Sequence, residues 1–192
     1  MAEQTVESVR QPVVSLGCQP EVGGAGHLLQ AADHLLCQCA GLIELIPDRV
    51  YATESRTIRG GTIGKHVRHV LDHYSAILTS LADQCPIDYD HRERGLSMEA
   101  SREAAMEAIR ETRSRIESLG SGTLAQRVRV RVMVSGDGSE VELDSTIGRE
   151  LAFATHHAVH HQAMMKAMAA EFGVELSSEF GKAPSTINFE RR

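Results

Sequence analysis

The feature of this sequence that most constrains its fold is a set of long stretches in which apolar residues recur at helical spacing. The clearest stretch covers residues 63–81, where one stripe comprises Ile63, Val67, Val70, Leu71, Tyr74, Ile77, Leu78 and Leu81. Apolar residues three or four positions apart lie on one face of a helix, so this stretch predicts an amphipathic helix. The hydroxyl of Thr62 is placed to cap its first turn.

Two further stretches with the same spacing predict long helices on either side of this one. The first runs from about residue 26 to 46 and ends at Pro47, which cannot continue a helix. The other runs from about residue 98 to 119, with Ser97 as the predicted N-cap and Gly120 as the stop.

A hairpin and a last helix complete the pattern. Valine and arginine alternate over residues 126–134, and a Ser-Gly-Asp-Gly-Ser turn leads into residues 140–143, which predicts a β-hairpin. The last helix is capped by Ser145 or Thr146 and reaches about Phe172. The sequence therefore predicts a mainly α fold, a four-helix bundle with a small β-hairpin inserted between the third and fourth helices.

Chain length and the positions of proline and glycine predict the domain organisation. A chain of 192 residues is typical of one domain. Residues 1–25 contain two prolines and a glycine pair and are predicted to form a partly extended N-terminal arm, while residues 26–192 form the single domain. The charged segment at residues 88–95 is predicted to be a linker, and residues 180–186 are predicted to form a loop.

Composition excludes several kinds of partner. The chain has 26 acidic and 20 basic residues and no basic run, which argues against nucleic acid as a partner. It lacks a signal-like start and a run of about eighteen apolar residues, so we expect a cytoplasmic protein with no membrane association. The four cysteines form no CxxC pair and are expected to be reduced.

Histidines supply the strongest functional signal. Seven of the ten fall in two predicted helical segments, residues 66–73 and 156–161. Histidine is the commonest metal ligand in proteins, and each segment contains a pair at i, i+4 spacing, which places both rings on one helical face. Because metal sites in bundles are built from side chains on facing helices, the two segments predict a metal site.

Helical geometry separates the histidines of the last helix. At about 100° per residue, His157 and His161 lie in or beside the apolar stripe, whereas His156 and His160 lie on the flank or in solvent. Glu150 lies two turns before His157 on nearly the same line. It is placed either to approach the site or orient a ligand, or simply to favour the helix dipole from the first turn.

On the second helix the same geometry leaves the choice open. His66 and His73 lie nearer to the centre of the apolar stripe than His69, but all three fall within about 60° of one another. A lone histidine on an apolar face is more often a hydrogen-bonded core residue than a ligand. Two such clusters on separate helices favour a shared cation, which would partner several buried imidazoles at once.

Two segments, Thr62–Asp72 and His157–His161, resemble the metal-binding motifs of the DinB/YfiT-like superfamily of small metal-dependent four-helix-bundle proteins. In that family a His-x-x-Asp pattern on the second helix joins a His-x-x-x-His pair on the last long helix. The pattern selects His69 and Asp72 from the first segment. The resemblance implies a divalent metal held by His69, His157 and His161. Residues 88–94 and 180–186 also resemble features of one subgroup of these proteins.

Three imidazole ligands leave a coordination position open, as in catalytic sites, and zinc or nickel suits the ligand set best. Characterised members of the superfamily include transferases and isomerases that use low-molecular-weight thiols such as mycothiol, bacillithiol or glutathione. The resemblance therefore implies transfer of a metal-activated thiolate to a small electrophile. His73, Glu150 and Asp72 are candidates for proton transfer or for support of the ligands.

Two other functions fit the same residues. A metal-dependent hydrolase would use a bound water in place of the thiol. A non-enzymatic stress or binding protein would use the histidines as a structural or ligand-binding site, and a fourth ligand, His73, would close it. In each case we expect a small-molecule partner, and the apolar surface of a bundle is compatible with a homodimer.

Overall fold

The structure, a computed structural model, describes residues 23–91 and 95–192. Most of the predicted N-terminal arm at residues 1–25 lies outside the described residues, as do residues 92–94 of the charged segment.

The predicted bundle with an inserted hairpin is confirmed. In chain order the helices are α1 (Gly24–Leu45), α2 (Asp48–Tyr51), α3 (Ile63–Asp83), α4 (Arg102–Glu117), α5 (Ser121–Leu124), α6 (Ile147–Glu171) and α7 (Pro184–Glu190), with a 3-10 turn at Ser97–Glu99. The long helices α1 and α3 each pack against both α4 and α6. The apolar stripes meet in one core, where Val67, Tyr74, Leu151 and Met165 are among the fully buried side chains.

Side-chain caps fix where the two histidine-bearing helices begin. The hydroxyl of Thr62 accepts a hydrogen bond from the backbone N–H of Lys65, as predicted. At α6 the cap is Thr146, which accepts from the backbone N–H of Arg149. Each such cap stabilises a helix by about 1 kcal/mol, because it satisfies an N–H that has no partner within the helix.

The prediction that Ser97 caps the third long helix is wrong. The N-cap of α4 is Ser101, whose hydroxyl accepts from the backbone N–H of Ala104 at 3.1 Å. Residues 97–99 instead form a separate 3-10 turn that packs against α3, and the hydroxyl of Tyr51 donates to the carbonyl of Met98 in that turn. Helix α4 therefore begins at Arg102, later than the apolar spacing alone predicts.

The sheet contains one strand that the sequence did not predict. The hairpin strands β2 (Arg127–Met133) and β3 (Glu140–Thr146) pair antiparallel, as predicted. Residues 87–88, the second of which was predicted to begin the charged linker, form strand β1 (Ile87–Asp88), which pairs parallel with β2. β3 runs directly into α6, so the hairpin lies against the beginning of that helix.

The C-terminal segment, predicted to be an ordered or semi-ordered loop at residues 180–186, is held against α6 and leads into a helix. Gly181 has a φ of +70°, and a side chain there would collide with the backbone of α6 at Ala163. Lys166 of α6 donates to the carbonyls of Ser177 and Ser178. After this contact the chain forms helix α7, which the sequence did not predict.

Cys37, Cys39 and Cys85 are free thiols, and Cys18 lies outside the described residues. Within residues 23–91 and 95–192, no helix is long and apolar enough to span a membrane.

The connection between α2 and α3 is tied to the end of α6 by one carboxylate. Glu171 accepts hydrogen bonds from the hydroxyl of Ser55 and from the backbone N–H groups of Arg56 and Thr57. These bonds, with that from Ser55 the largest contribution, lower the pKa of Glu171 from 4.5 to about 2. The connection also forms one wall of the cavity described below.

We expect the stabilisation from Glu171 to be present above pH 4.5 and to be lost as the pH falls towards 2, because a lowered carboxyl pKa favours the folded state only while the group is ionised. Glu171→Gln should therefore be less stable than wild type at neutral pH, and the difference should shrink on acidification. Urea unfolding of both proteins over this range measures it. A difference that stays constant with pH would contradict the assignment.

Candidate metal centre

Helices α3 and α6 pack against each other and bring the two histidine segments together. Among the described residues, His69, His157 and His161 form a group whose ligand atoms all lie within 4.8 Å of one another. Nε2 of His157 lies 2.9 Å from Nε2 of His69 and 3.0 Å from Nε2 of His161. These are the three residues that the motif resemblance selected.

The three nitrogens fit a metal ion. Nitrogen ligands of tetrahedral zinc, bonded at about 2.0–2.1 Å, lie about 3.3 Å apart, and the two distances from Nε2 of His157, 2.9 and 3.0 Å, are close to this. Burial, followed by the neighbouring imidazoles of His69 and His157, lowers the pKa of His161 to about 2. This ring is therefore neutral at physiological pH, which is the form that binds metals. The donor set can hold a divalent cation.

A fourth histidine contacts the triad from outside. Nδ1 of His66 lies 2.7 Å from Nδ1 of His161, and both rings are buried. This contact engages the nitrogen of His161 that faces away from the triad, so it fixes the orientation of the ring and leaves Nε2 directed towards His157. Partners of this kind tune the orientation and basicity of ligating histidines.

His73 lies beside the triad. Its Nδ1 donates to the carbonyl oxygen of His69 at 2.9 Å, and its ring centroid lies 4.3 Å from that of His157. The ring also stacks on Tyr89, with centroids 4.9 Å apart and an interplanar angle of 18°. His73 thus contacts both the triad and Tyr89.

The two candidate carboxylates have different surroundings. Asp72 pairs with Arg68 at 3.2 Å, and Arg68 also pairs with Glu99. Glu150 is 1% exposed and accepts hydrogen bonds from the hydroxyl of Tyr89 at 2.8 Å, from Ser145 and from Arg149. Glu150 lies in the first turn of α6 and connects to the histidine cluster through Tyr89. Burial and then the charge of Glu150 raise the pKa of Tyr89.

His156 and His160 are exposed on α6, as the helical geometry predicted. On α3 the geometry correctly predicted that His66 and His73 are more buried than His69. Burial did not indicate which α3 histidine joins His157 and His161 in the triad, however. The sequence did not indicate that Tyr89 lies beside the candidate site. A tyrosine in a charged segment gives no sign that it contacts Glu150, which is 61 positions away.

A cavity of about 580 Å³ opens onto the triad. We call it the polar cavity, and its lining includes the triad members His69 and His161, together with His66 and the charged residues Arg59, Lys65, Arg68, Asp72 and Glu99. A small molecule in this cavity would therefore lie directly against two of the three candidate ligands.

The sequence model of the DinB superfamily matches residues 38–165, which include α3, the hairpin and most of α6. This chain belongs to the DinB superfamily. It is also similar to FK506-binding protein 5 of Rhizopus delemar, with 33% identity over 116 residues. The match covers 60% of this chain and 30% of the fungal protein, so the chain spans less than a third of the length of that relative.

Proposed function

We propose that this member of the DinB superfamily is a metal-dependent enzyme that transfers a low-molecular-weight thiol to a small electrophile, with His69, His157 and His161 as the metal ligands. The observation that supports it most is the convergence of three imidazole nitrogens within 4.8 Å of one another, beside a cavity of about 580 Å³. Three protein ligands leave a position for a substrate, as in catalytic metal sites.

The protein residues would position the ligands and the substrate. His66 holds the ring of His161 through the contact between the two Nδ1 atoms. Zinc or nickel suits an all-imidazole set. When bound, such a cation would lower the pKa of a thiol so that the thiolate exists at neutral pH.

The charges in the polar cavity support a thiol that is itself charged. Arg59 and Lys65 supply positive groups, and Arg68 lies between the carboxylates of Asp72 and Glu99, with which it pairs. Low-molecular-weight thiols of the glutathione type carry both carboxylate and ammonium groups, so a cavity with both signs of charge can pair with each. Asp72, which lines the polar cavity, and His73, which contacts His157, are the candidates for proton transfer.

The test is turnover of 1-chloro-2,4-dinitrobenzene by the zinc- or nickel-loaded full chain, with glutathione, bacillithiol and mycothiol supplied separately. We expect one thiol to give a rate that exceeds the uncatalysed reaction and that is lost on chelation and in His161→Ala. Metal-dependent turnover of ester substrates without any thiol would favour a hydrolase instead. Absence of both activities in fully metal-loaded protein would favour the non-enzymatic function.

A further inference from the structure

A second cavity is lined by His73 and by none of the three triad histidines. It has a volume of about 490 Å³ and is enclosed by the hairpin, by Tyr89 and by the first turns of α6. We call it the hairpin cavity. The apolar part of its wall comes from Val130, Val132, Met133 and Leu143 of the hairpin and from Phe153 of α6.

Part of the apolar wall is exposed to solvent, although Val130 is buried in the core. Phe153 is 37% exposed, Met133 40% and Leu143 54%, which places three of the large exposed apolar residues of the described chain in this cavity. The rings of Phe153, Tyr89 and His73 adjoin one another, with centroids 5.5 Å apart for Phe153 and Tyr89. Exposed apolar surface gathered in a cavity favours an apolar ligand.

The charged groups of the cavity are mostly negative. Asp90, Asp144 and Glu150 line it, and Arg149 is the one cationic side chain among the described lining residues. Asp144 is also 3.6 Å from Arg129 on the neighbouring strand, which offsets part of its charge. Glu150 is the buried carboxylate of the three, and it pairs with Arg149 at 2.9 Å.

Arg149 marks the place where a cation fits. The carbon at the centre of its guanidinium lies 5.5 Å from the centroid of the Phe153 ring, and Nη1 donates to Glu150 at 2.9 Å. A cation over an aromatic face beside a carboxylate is a favourable arrangement. The Arg149 side chain is 65% exposed and can therefore leave this position without unpacking the core.

We propose that the hairpin cavity binds a small apolar amine in its ammonium form. The apolar body would lie against Phe153 and the inner face of the hairpin, and the ammonium group would lie beside Glu150 in the place of the Arg149 guanidinium. This inference rests on the aromatic wall, the carboxylates and the position of Arg149. It requires neither a bound metal nor the proposed transferase activity.

The probe is benzylamine, titrated by calorimetry into the full chain with and without zinc, with benzoate as the charge-reversed control. We expect benzylammonium to bind at one site with a Kd on the order of 1 mM, as suits a ligand of this size, and benzoate not to bind. Equal binding of benzoate, or no binding of benzylammonium, would overturn the proposal.

Two variants locate the site. Phe153→Ala should weaken benzylammonium binding at least about tenfold, whereas Phe189→Ala, which removes a 78% exposed phenylalanine on α7, should leave it unchanged. Arg149→Ala removes the competing guanidinium and should strengthen binding. Binding that is unaffected by Phe153→Ala, or weakened by Arg149→Ala, would contradict the assignment. The side chains of Phe153 and Arg149 are partly exposed. Circular dichroism verifies that all three variants are folded.

Discussion

Replacing His161 with alanine is expected to abolish stoichiometric zinc binding, whereas replacing His156 with alanine should leave it intact. His161 contributes one of three converging nitrogens and is buried between His157 and His66. Two remaining imidazoles cannot enclose the ion, so the affinity should fall below the range of a calorimetric titration. His156 is on the same helix, adjacent to His157, but is exposed. It is a matched control for the loss of one imidazole.

A third variant tests the role of His66. His66→Phe keeps a ring at this position but removes the nitrogen that contacts His161. We expect zinc affinity to fall by about 10–100-fold without loss of the site, as found for partners that orient ligating histidines. Wild-type affinity in His161→Ala would contradict the ligand assignment. Complete loss of binding in folded His66→Phe would instead make His66 a ligand.

Gly64→Ala is expected to destabilise the fold strongly for so small a substitution. Gly64 lies on α3 where the helix meets the 3-10 turn at residues 97–99. A Cβ atom there would collide with the carbonyl oxygen of Glu99 and lie 2.8 Å from the ring of Tyr51. The turn cannot shift freely, because Tyr51 donates to the carbonyl of Met98 and Arg68 pairs with Glu99.

We therefore expect Gly64→Ala to lower the free energy of unfolding by about 1–3 kcal/mol, the usual cost of overpacking. This is opposite in sign to the effect of the same substitution in an unobstructed helix, where alanine gains about 1 kcal/mol over glycine. Gly41→Ala in α1 is the matched control, because nothing lies within 4 Å of its added Cβ. Urea unfolding measures both, and a Gly64→Ala variant as stable as Gly41→Ala would contradict the packing.

Most of the fold was predictable from local patterns, and the differences between the predicted and the observed fold have identifiable causes. Apolar spacing and Thr62 located α3 because both signals depend on neighbours in the sequence. Strand β1 was missed because a two-residue strand has no periodicity and is stabilised by pairing with β2, far along the chain. Ser101 rather than Ser97 caps α4 because tertiary contact with α3 makes a separate turn of residues 97–99.

Helical periodicity could not identify which histidine of α3 belongs to the triad. The apolar stripe indicates which histidines face the core, and it correctly favoured His66 and His73 as the buried pair. The α3 histidine that joins the triad is His69, at the edge of the stripe. The triad forms where α3 and α6 meet beside the polar cavity, and not at the centre of the core. The spacing of a family motif carries that information, whereas helical periodicity does not.

The most direct test of the account is the metal content of the full chain, purified without chelator or metal-affinity chromatography and measured by elemental analysis. We predict about one equivalent of a single divalent metal per chain, with zinc or nickel the expected ion. Protein that contains no metal, and that takes up none when zinc or nickel is added, would contradict the three-histidine metal centre.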